Sequence, residues 1–346
     1  MIDTFYYSYL DKIFAHINNS DLVLIRMSQQ NSWLLCILQT YCNNRKIQAT
    51  IIYDDIPFSK SFNWALYTYY LYFVIGKANR PLEDIAPFLK NRKSMYDQLC
   101  LDDKFIKDKW MVAYIPQPEE LVSSDYLFLK NLDYIKLARK CFPLYAKLMK
   151  SEKITIKGNR INLAFTYSKN TVFSNFGEHN LPDGEIGVIP DIESTSGTLF
   201  FSQVIFHGFI FHNVTLCFQK GKCYFCSYDE DFGFEKILYF DDYSPYIGEF
   251  AFGLNPYISK KIGIPIIDEK QMGTYHLALG GVNNASVNPK KSFIHLDMIS
   301  ELNTPCEIYV NNEMIFQTSR FVGSTLKMIN SEYLKRGDVH GFAQKR

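Results

Sequence analysis

The chain has no charge of either sign to spare. Lys and Arg number 37 against 36 Asp and Glu, a formal net charge of +1 over 346 residues. Without a basic stripe there is no electrostatic footprint for nucleic acid, and no acidic tail is present. The first twenty residues lack a basic segment followed by an apolar run, so no secretory leader is read there. Long apolar runs are also missing. The most membrane-like stretch, 65–76 (ALYTYYLYFVIG), is too short to span a bilayer and is dense in tyrosine. It reads as part of a buried helix over 61–75, and the expectation is a cytoplasmic protein with no membrane partner. GxGxxG, P-loop, GxSxG and HExxH are all absent, which removes the usual dinucleotide, phosphate, serine-hydrolase and zincin readings.

What is present is globular: 47% hydrophobic and 21% charged residues. Aromatics reach 16%, with 28 Phe and 24 Tyr, which suggests thick cores or an apolar interface. The eight cysteines are scattered, mostly in apolar surroundings, and read as small buried hydrophobes. Cys223 and Cys226 form a CxxC within GKCYFCS. A structural zinc site needs a second ligand pair, and none stands at suitable spacing, so the pair reads as strand residues with incidental thiols.

The first half alternates strand and helix signals. Residues 21–27 (DLVLIRM) and 47–53 (IQATIIY) read as strands with a helix between them, which makes a βαβ unit and favours a parallel sheet. A further strand, 110–115 (WMVAYI), ends at Pro116, and two amphipathic helices follow as far as Met149. From Glu152 the segments become short, alternating and punctuated by glycine. Gly221 within GKC and Asn311-Asn312 within NNE mark hairpin turns between β-branched and aromatic runs. The expected architecture is an α/β domain with a parallel sheet over 1–152, then a β-rich α+β domain over 153–346.

Within that second half, polar residues stand inside otherwise buried segments. On a strand, Phe293, His295 and Asp297 share one face, so a His and an Asp can point into one site; an ion pair is the plainer reading. His276 is the one imidazole in the apolar run GTYHLALG, where a satisfied core residue is the plainer reading. Glu249 in PYIGEFAFGLN and Glu185 in NLPDGEIGVIPD are costly to bury unless something positive meets them. Lys270 is one candidate, and a pair of metal ions would satisfy the carboxylates together. Two His, two Glu and one Asp form the mixed nitrogen and oxygen set that suits zinc, cobalt or manganese.

Taken in order, NLPDGEIGVIPDIESTSGTL, YIGEFAFGLNPYI, DEKQMGTYHLALG and FIHLDM resemble the corresponding blocks of the M29 metallo-aminopeptidases, the thermophilic aminopeptidase family. The resemblance covers the second half well and the first half only in its α/β character. It implies that Glu185, Glu249, His276, His295 and Asp297 hold two divalent cations, zinc first, with cobalt or manganese also suitable. It implies two-metal hydrolysis that removes amino-terminal residues from a peptide substrate, in a homodimer, with Lys270 assisting by neutralising carboxylates or steadying an oxyanion.

The sequence also departs from that family. Members carry a tyrosine seven residues after the histidine matching His276; here the position is Asn283, an amide that donates a hydrogen bond but has no phenolic proton. The chain is shorter than a typical member, in the first domain and in the loop before His295. Two other readings follow. A ring-cleaving 2,5-dihydroxypyridine dioxygenase shares the scaffold but binds one Fe(II) through two His and an Asp, and the two glutamates argue against it. A catalytically altered or inactive peptide-binding protein would keep the fold, and Asn283 with the aromatic-rich first domain motivates it.

Overall fold

A computed structural model describes residues 2–28, 31–53, 66–91, 109–122, 126, 129, 133–281 and 292–335. They sort into two compact units. Unit 1 comprises Met1–Lys77, Pro87–Leu132 and Gly177–Pro182, and unit 2 comprises Ala78–Ala86, Asp133–Phe176 and Asp183–Arg346. The division is thus not a single cut at 152/153. The helix before that point goes with unit 2, and residues 177–182 go with unit 1.

Unit 1 begins with α1 (Ile2–Ile13), β1 (Leu22–Met27), α2 (Ser32–Arg45) and β2 (Gln48–Tyr53). Asn31 caps α2 by accepting the Leu34 N–H, and Lys46 closes it in the left-handed region at φ 56°. The two strands pair in parallel through the helix crossover, the βαβ unit expected from the sequence.

The next element corrects the sequence reading. Residues 69–75 are a strand, β3 (Tyr69–Ile75), not the end of a helix over 61–75. Its burial alternates residue by residue, with Tyr69, Leu71, Phe73 and Ile75 inside. Period two with aromatic and β-branched side chains is a strand signature; an apolar run of this length is ambiguous between helix and strand until that alternation is counted. Residues 61–65 of that expected helix lie outside the described residues. After β4 (Trp110–Ile115), unit 1 is completed later in the chain by a two-residue strand.

After Ala78–Ala86, unit 2 continues with α3 (Tyr134–Leu148), capped by Asp133, whose carboxylate accepts the Lys136 N–H. Leu137, Cys141, Leu144 and Leu148 form its buried stripe. β5 (Lys153–Gly158) and the 15-residue β6 (Ile161–Asn175) follow. The chain then supplies β7 (Asn180–Leu181) to unit 1, whose sheet order is β2-β1-β3-β4-β7, all parallel.

The remaining strands of unit 2 are β8 (Glu185–Pro190), β9 (Ser196–Phe206), β10 (Phe209–Gln219), β11 (Lys222–Ser227), β12 (Ile247–Gly253), β13 (Tyr275–Gly280), β14 (His295–Ile299), β15 (Cys306–Val310), β16 (Glu313–Gln317) and β17 (Arg320–Phe321). They pair antiparallel in the order β14-β13-β12-β8-β6-β5-β15-β16-β17, with β9, β10 and β11 branching from β6. Lys220 and Gly221 turn β10 into β11 with positive φ, and Asn311 does the same before β16, at the expected hairpins. Cys223 and Cys226 are free thiols on β11, opposite Phe218 and Leu216 of β10.

β6 serves both wings of this sheet. Its first half pairs with β5 and β9, its second half with β8, and the register shifts between Tyr167 and Val172.

The four-stranded wing β8-β12-β13-β14 has two unlike faces. Ile186, Val188, Phe250, Phe252, Tyr275, Leu277, Leu279, Leu296 and Met298 fall on one face by register, and all are buried. Phe250 and Phe252 meet edge to face, and Phe252 continues onto Phe316 and Phe321. Each such side chain contributes roughly 1.5–3 kcal/mol on full burial, which sets this wing rigidly and offsets what the opposite face costs.

Candidate metal centre

The opposite face of the same wing carries the charged residues. Cross-strand register places Asp297, Ala278 and Glu249 in one row, and Ile299, His276, Ala251 and Gly187 in the next. Glu185 stands opposite Gly253 and Asn175. Between the charged side chains the face is lined by Ala278, Ala251, Gly187 and Gly253, so short residues leave the space that the polar groups use.

Gly253 makes room for a chain crossing. A Cβ there would lie 2.3 Å from the Gln271 carbonyl oxygen and 2.6 Å from that of Glu269. The bare glycine lets segment 269–271 pass close over the strand. Asn255 N–H donates to the Lys270 carbonyl at 2.8 Å, and Met272 N–H to the Asn255 carbonyl at 3.1 Å, which pins the crossing. The short helix Pro265–Asp268 leads into it, held by Asp268, whose carboxylate accepts the N–H groups of Ile262, Gly263 and Ile264. Glu269 and Lys270 are thereby delivered to the charged face.

The geometry there is tight. Lys270 Nζ lies 2.6 Å from Glu185 Oε2, 2.8 Å from Glu269 Oε1 and 3.8 Å from Asp183 Oδ1. His276 Nε2 stands 3.4 Å from Glu185 Oε2 and 3.5 Å from Glu249 Oε1. The Glu185 Oε1 accepts from Asn175 Nδ2 at 2.7 Å. His295 Nε2 is 3.2 Å from Asp297 Oδ1, while its Nδ1 lies 3.2 Å from the Gly281 carbonyl oxygen. A carbonyl only accepts, so Nδ1 carries the proton and Nε2 is turned toward the site.

Asp183, Glu185, Glu249, Glu269, Lys270 and His276 are all buried, whereas the His295 side chain is 29% and that of Asp297 13% exposed. Solvent therefore reaches the cluster from the β14 side.

Burial would raise the Glu185 carboxyl; the Lys270 ammonium and His276 outweigh it and bring the group below the usual carboxylate range. Burial alone would lower His276, but the carboxylates of Glu185 and Glu249 beside it raise it to about 10. Glu269 goes the other way, raised by burial and by the charge of Asp297 more than Lys270 lowers it. These pairings favour the proton on His276 and Glu269 and the ionised carboxylate at Glu185. Despite that crowding, neither ring nitrogen of His276 makes an aligned hydrogen bond, nor does Asp297 Oδ1. Buried polar atoms are rarely left so, and such orphans mark a position built for something else.

The structure thus gathers Glu185, Glu249, His276, His295, Asp297 and Lys270 on one face. Asn283 lies outside the described residues. Glu269 and Asp183 were not singled out from the sequence. The one hint for Glu269 is its place directly beside Lys270 in DEKQ, and those four polar residues together resemble a solvated turn, so the sequence does not mark it out. Among the described residues, Glu185, Glu249 and His276 offer ligand atoms within 4.8 Å of one another, and so do Glu269, His276 and Asp297.

Residues 142–304 match the family model of the thermophilic metalloproteases (M29). The resemblance read from the four sequence blocks is therefore found over the stretch that carries the centre. Among solved structures, wild-type AmpT from Thermus thermophilus matches with a TM-score of 0.65 at 12% identity, over 93% of this chain and 99% of that one. At that identity the likeness is one of fold, and it extends to the first half, where sequence resemblance stops. No curated protein matches the chain.

Proposed function

We propose that this chain is a metal-dependent aminopeptidase whose centre is built on the charged face of β8-β12-β13-β14. The observation that carries the reading is His276: a fully buried imidazole with no aligned hydrogen bond at either nitrogen, set between Glu185 and Glu249. The metalloprotease family match over residues 142–304 supports the same reading.

The donor set fits divalent cations. Glu185, Glu249, His276, His295 and Asp297 would hold two of them, zinc in first place, with cobalt or manganese also suited to mixed nitrogen and oxygen donors. Charge supports the number: two divalent ions and the Lys270 ammonium together match the five carboxylates Asp183, Glu185, Glu249, Glu269 and Asp297. When bound, such ions supply Lewis acidity for peptide hydrolysis.

The chain's own residues do the rest. Lys270 holds Glu185 and Glu269 in place and cancels part of their charge. Asn175 fixes the second Glu185 oxygen. The Gly281 carbonyl selects the His295 tautomer that turns Nε2 inward. His295 and Asp297 form the side that solvent reaches, and a peptide amino terminus would enter there. Asn283, seven residues after His276, could donate a hydrogen bond but no phenolic proton, which points to slower turnover or a different substrate preference. A homodimer and a cytoplasmic location complete the proposal, on the resemblance alone.

Metal content by plasma mass spectrometry, on protein purified without chelators, tests this beside a panel of aminoacyl anilides. Close to two ions per chain, lost in Glu249→Ala, with release of the amino-terminal residue, is expected. One iron per chain with oxygen uptake would move the reading to ring-cleaving dioxygenase chemistry. A full metal complement with no anilide cleaved would favour a peptide-binding protein.

A further inference from the structure

We propose that the outer edge of β11 is a docking strand for the body of the peptide, an extended chain with aromatic or branched side chains at alternate positions. This rests on the aminopeptidase reading and names the kind of substrate its centre takes.

Three observations carry it. The first is an open edge. β11 pairs as a strand with β10 on one side only. On its other side the Cys223 N–H donates to the Pro245 carbonyl at 2.8 Å, and Lys222 forms a single bridge with Tyr246. Among the described residues no strand continues that pairing along 224–227, so the edge is open to another backbone.

The second is what the edge presents. Phe225 pairs with Cys217 and Cys223 with Phe218, which leaves Tyr224 as the extra residue of a bulge. Tyr224 and Phe225 are 63% and 50% exposed, whereas Cys223 is buried. Tyr239, 50% exposed, lies toward the thiols of Cys223 and Cys226. Strand edges are usually guarded by charge, proline or a covering segment, and this one carries aromatic rings instead. An added strand would lay alternate side chains against Tyr224 and Phe225 on one face and Tyr239 on the other.

The third is position. Tyr246, which bridges to Lys222, accepts the Gly280 N–H on its carbonyl at 2.8 Å. Gly280 in turn pairs with His295 across β13 and β14. The edge thus starts about three strand spacings from His295, on the order of 15 Å, a span of roughly four or five extended residues. A peptide whose amino terminus reached the solvent-facing His295 and Asp297 would bring its following residues to β11. That nearness favours the peptide over a second copy of the chain as the occupant.

The test is binding to the metal-free full chain, read by fluorescence anisotropy, so it needs no turnover. The probe is a peptide of about ten residues, with Val and Phe alternating along its carboxyl half and a label at its carboxyl end, beside a labelled tripeptide with the same first residue. The long probe should bind at least about tenfold tighter, and Tyr224→Ser with Phe225→Ser should remove that advantage. Methylating alternate backbone nitrogens of the probe takes away strand donors without touching the protein, and should weaken binding by about tenfold. Equal affinity for the two probes, or a long probe indifferent to the substitutions or to methylation, would overturn the inference. So would a dimer that falls to monomer in the double variant while peptide affinity stays unchanged, because a second copy then holds the edge. Wild type that cleaves aminoacyl anilides but fails these binding tests would remove the edge alone. Wild type that passes them and cleaves no anilide would keep the edge as a peptide-binding surface and take down only the peptidase reading.

Discussion

Buried charge is handled in opposite ways by the two units. Among the described residues of unit 1, Asp21, just before β1, and Arg26, within it, are the buried Asp and Arg side chains at its parallel sheet. Each is answered locally. Asp21 accepts from the Asn18 N–H, Thr68 and Lys109, whose ammonium stem reaches solvent, and Arg26 lies over the Tyr72 ring and donates to Tyr70. In unit 2, carboxylates, an ammonium and an imidazole meet on one sheet face, and the His276 nitrogens and Asp297 Oδ1 still lack aligned partners. Taking charge out of water costs several kcal/mol per ion even after relaxation, and only good pairing repays it. A fold tolerates one satisfied buried charge for structural reasons. A crowded and incompletely satisfied set needs another reason, and an ion-binding centre supplies one.

The largest expected effect breaks that contrast at its middle. His276→Ala should remove tight metal binding, read as ions per chain, without unfolding unit 1. Should the variant keep the full complement, the orphaned imidazole would be a packing residue and the contrast would lose its functional meaning.

Next in size is Lys270→Met, measured on metal-free protein. Removing one partner of a buried ion pair typically costs about 3–5 kcal/mol, because the remaining charges stay buried. Lys270 faces Glu185, Glu269 and Asp183, so the loss should fall at the upper end of that range. Adding Glu185→Gln should recover part of it, and urea unfolding of the single and double variants reads the coupling. A loss below about 1 kcal/mol would mean that water already screens the cluster, as at an exposed pair.

Gly253→Ala sharpens the comparison from the backbone side. The added methyl would press on the Gln271 and Glu269 carbonyl oxygens, so about 1–3 kcal/mol of stability should be lost, as in overpacked cores. Metal affinity should fall with it, because Glu269 and Lys270 ride on that segment. A stability loss with metal affinity intact would separate the crossing from the centre.

How much of this was legible beforehand follows the same division. The strands of the charged face stood out because a lone His or Glu in an apolar run is conspicuous, and His295 and Asp297 two apart on a strand had to share a face. Hairpins at Gly221 and Asn311 were readable from turn chemistry. Glu269 was not, because its place in the cluster depends on a chain crossing that only Gly253 permits, and a glycine announces no such thing in one dimension. Residues 69–75 misled for a different reason: YYLYFVI is apolar throughout, and the half-exposed Tyr70, Tyr72 and Val74 hide the alternation that burial reveals. Ala251, Ala278 and Gly187 read as ordinary strand residues, although their small size makes room for the charged face.

The smallest effect lies at Asp21, on the quiet side of the comparison. Burial would raise its carboxyl, but the Asn18 N–H, Lys109 and Thr68 together hold it below the usual carboxylate range. A carboxyl lowered in the folded state stabilises the fold above its unfolded value, near pH 4, and that contribution fades as pH falls through the folded value. Asp21→Asn should therefore lower stability at pH 7 and narrow its deficit toward wild type as the medium is acidified below about pH 4. Because Lys109 is 53% exposed, the pair is worth at most about 1 kcal/mol, far less than the loss expected at Lys270. Urea midpoints of variant and wild type at pH 7, 4 and 3 read the difference. An effect as large as that of Lys270→Met would erase the distinction between a locally answered charge and a cluster built to hold cations.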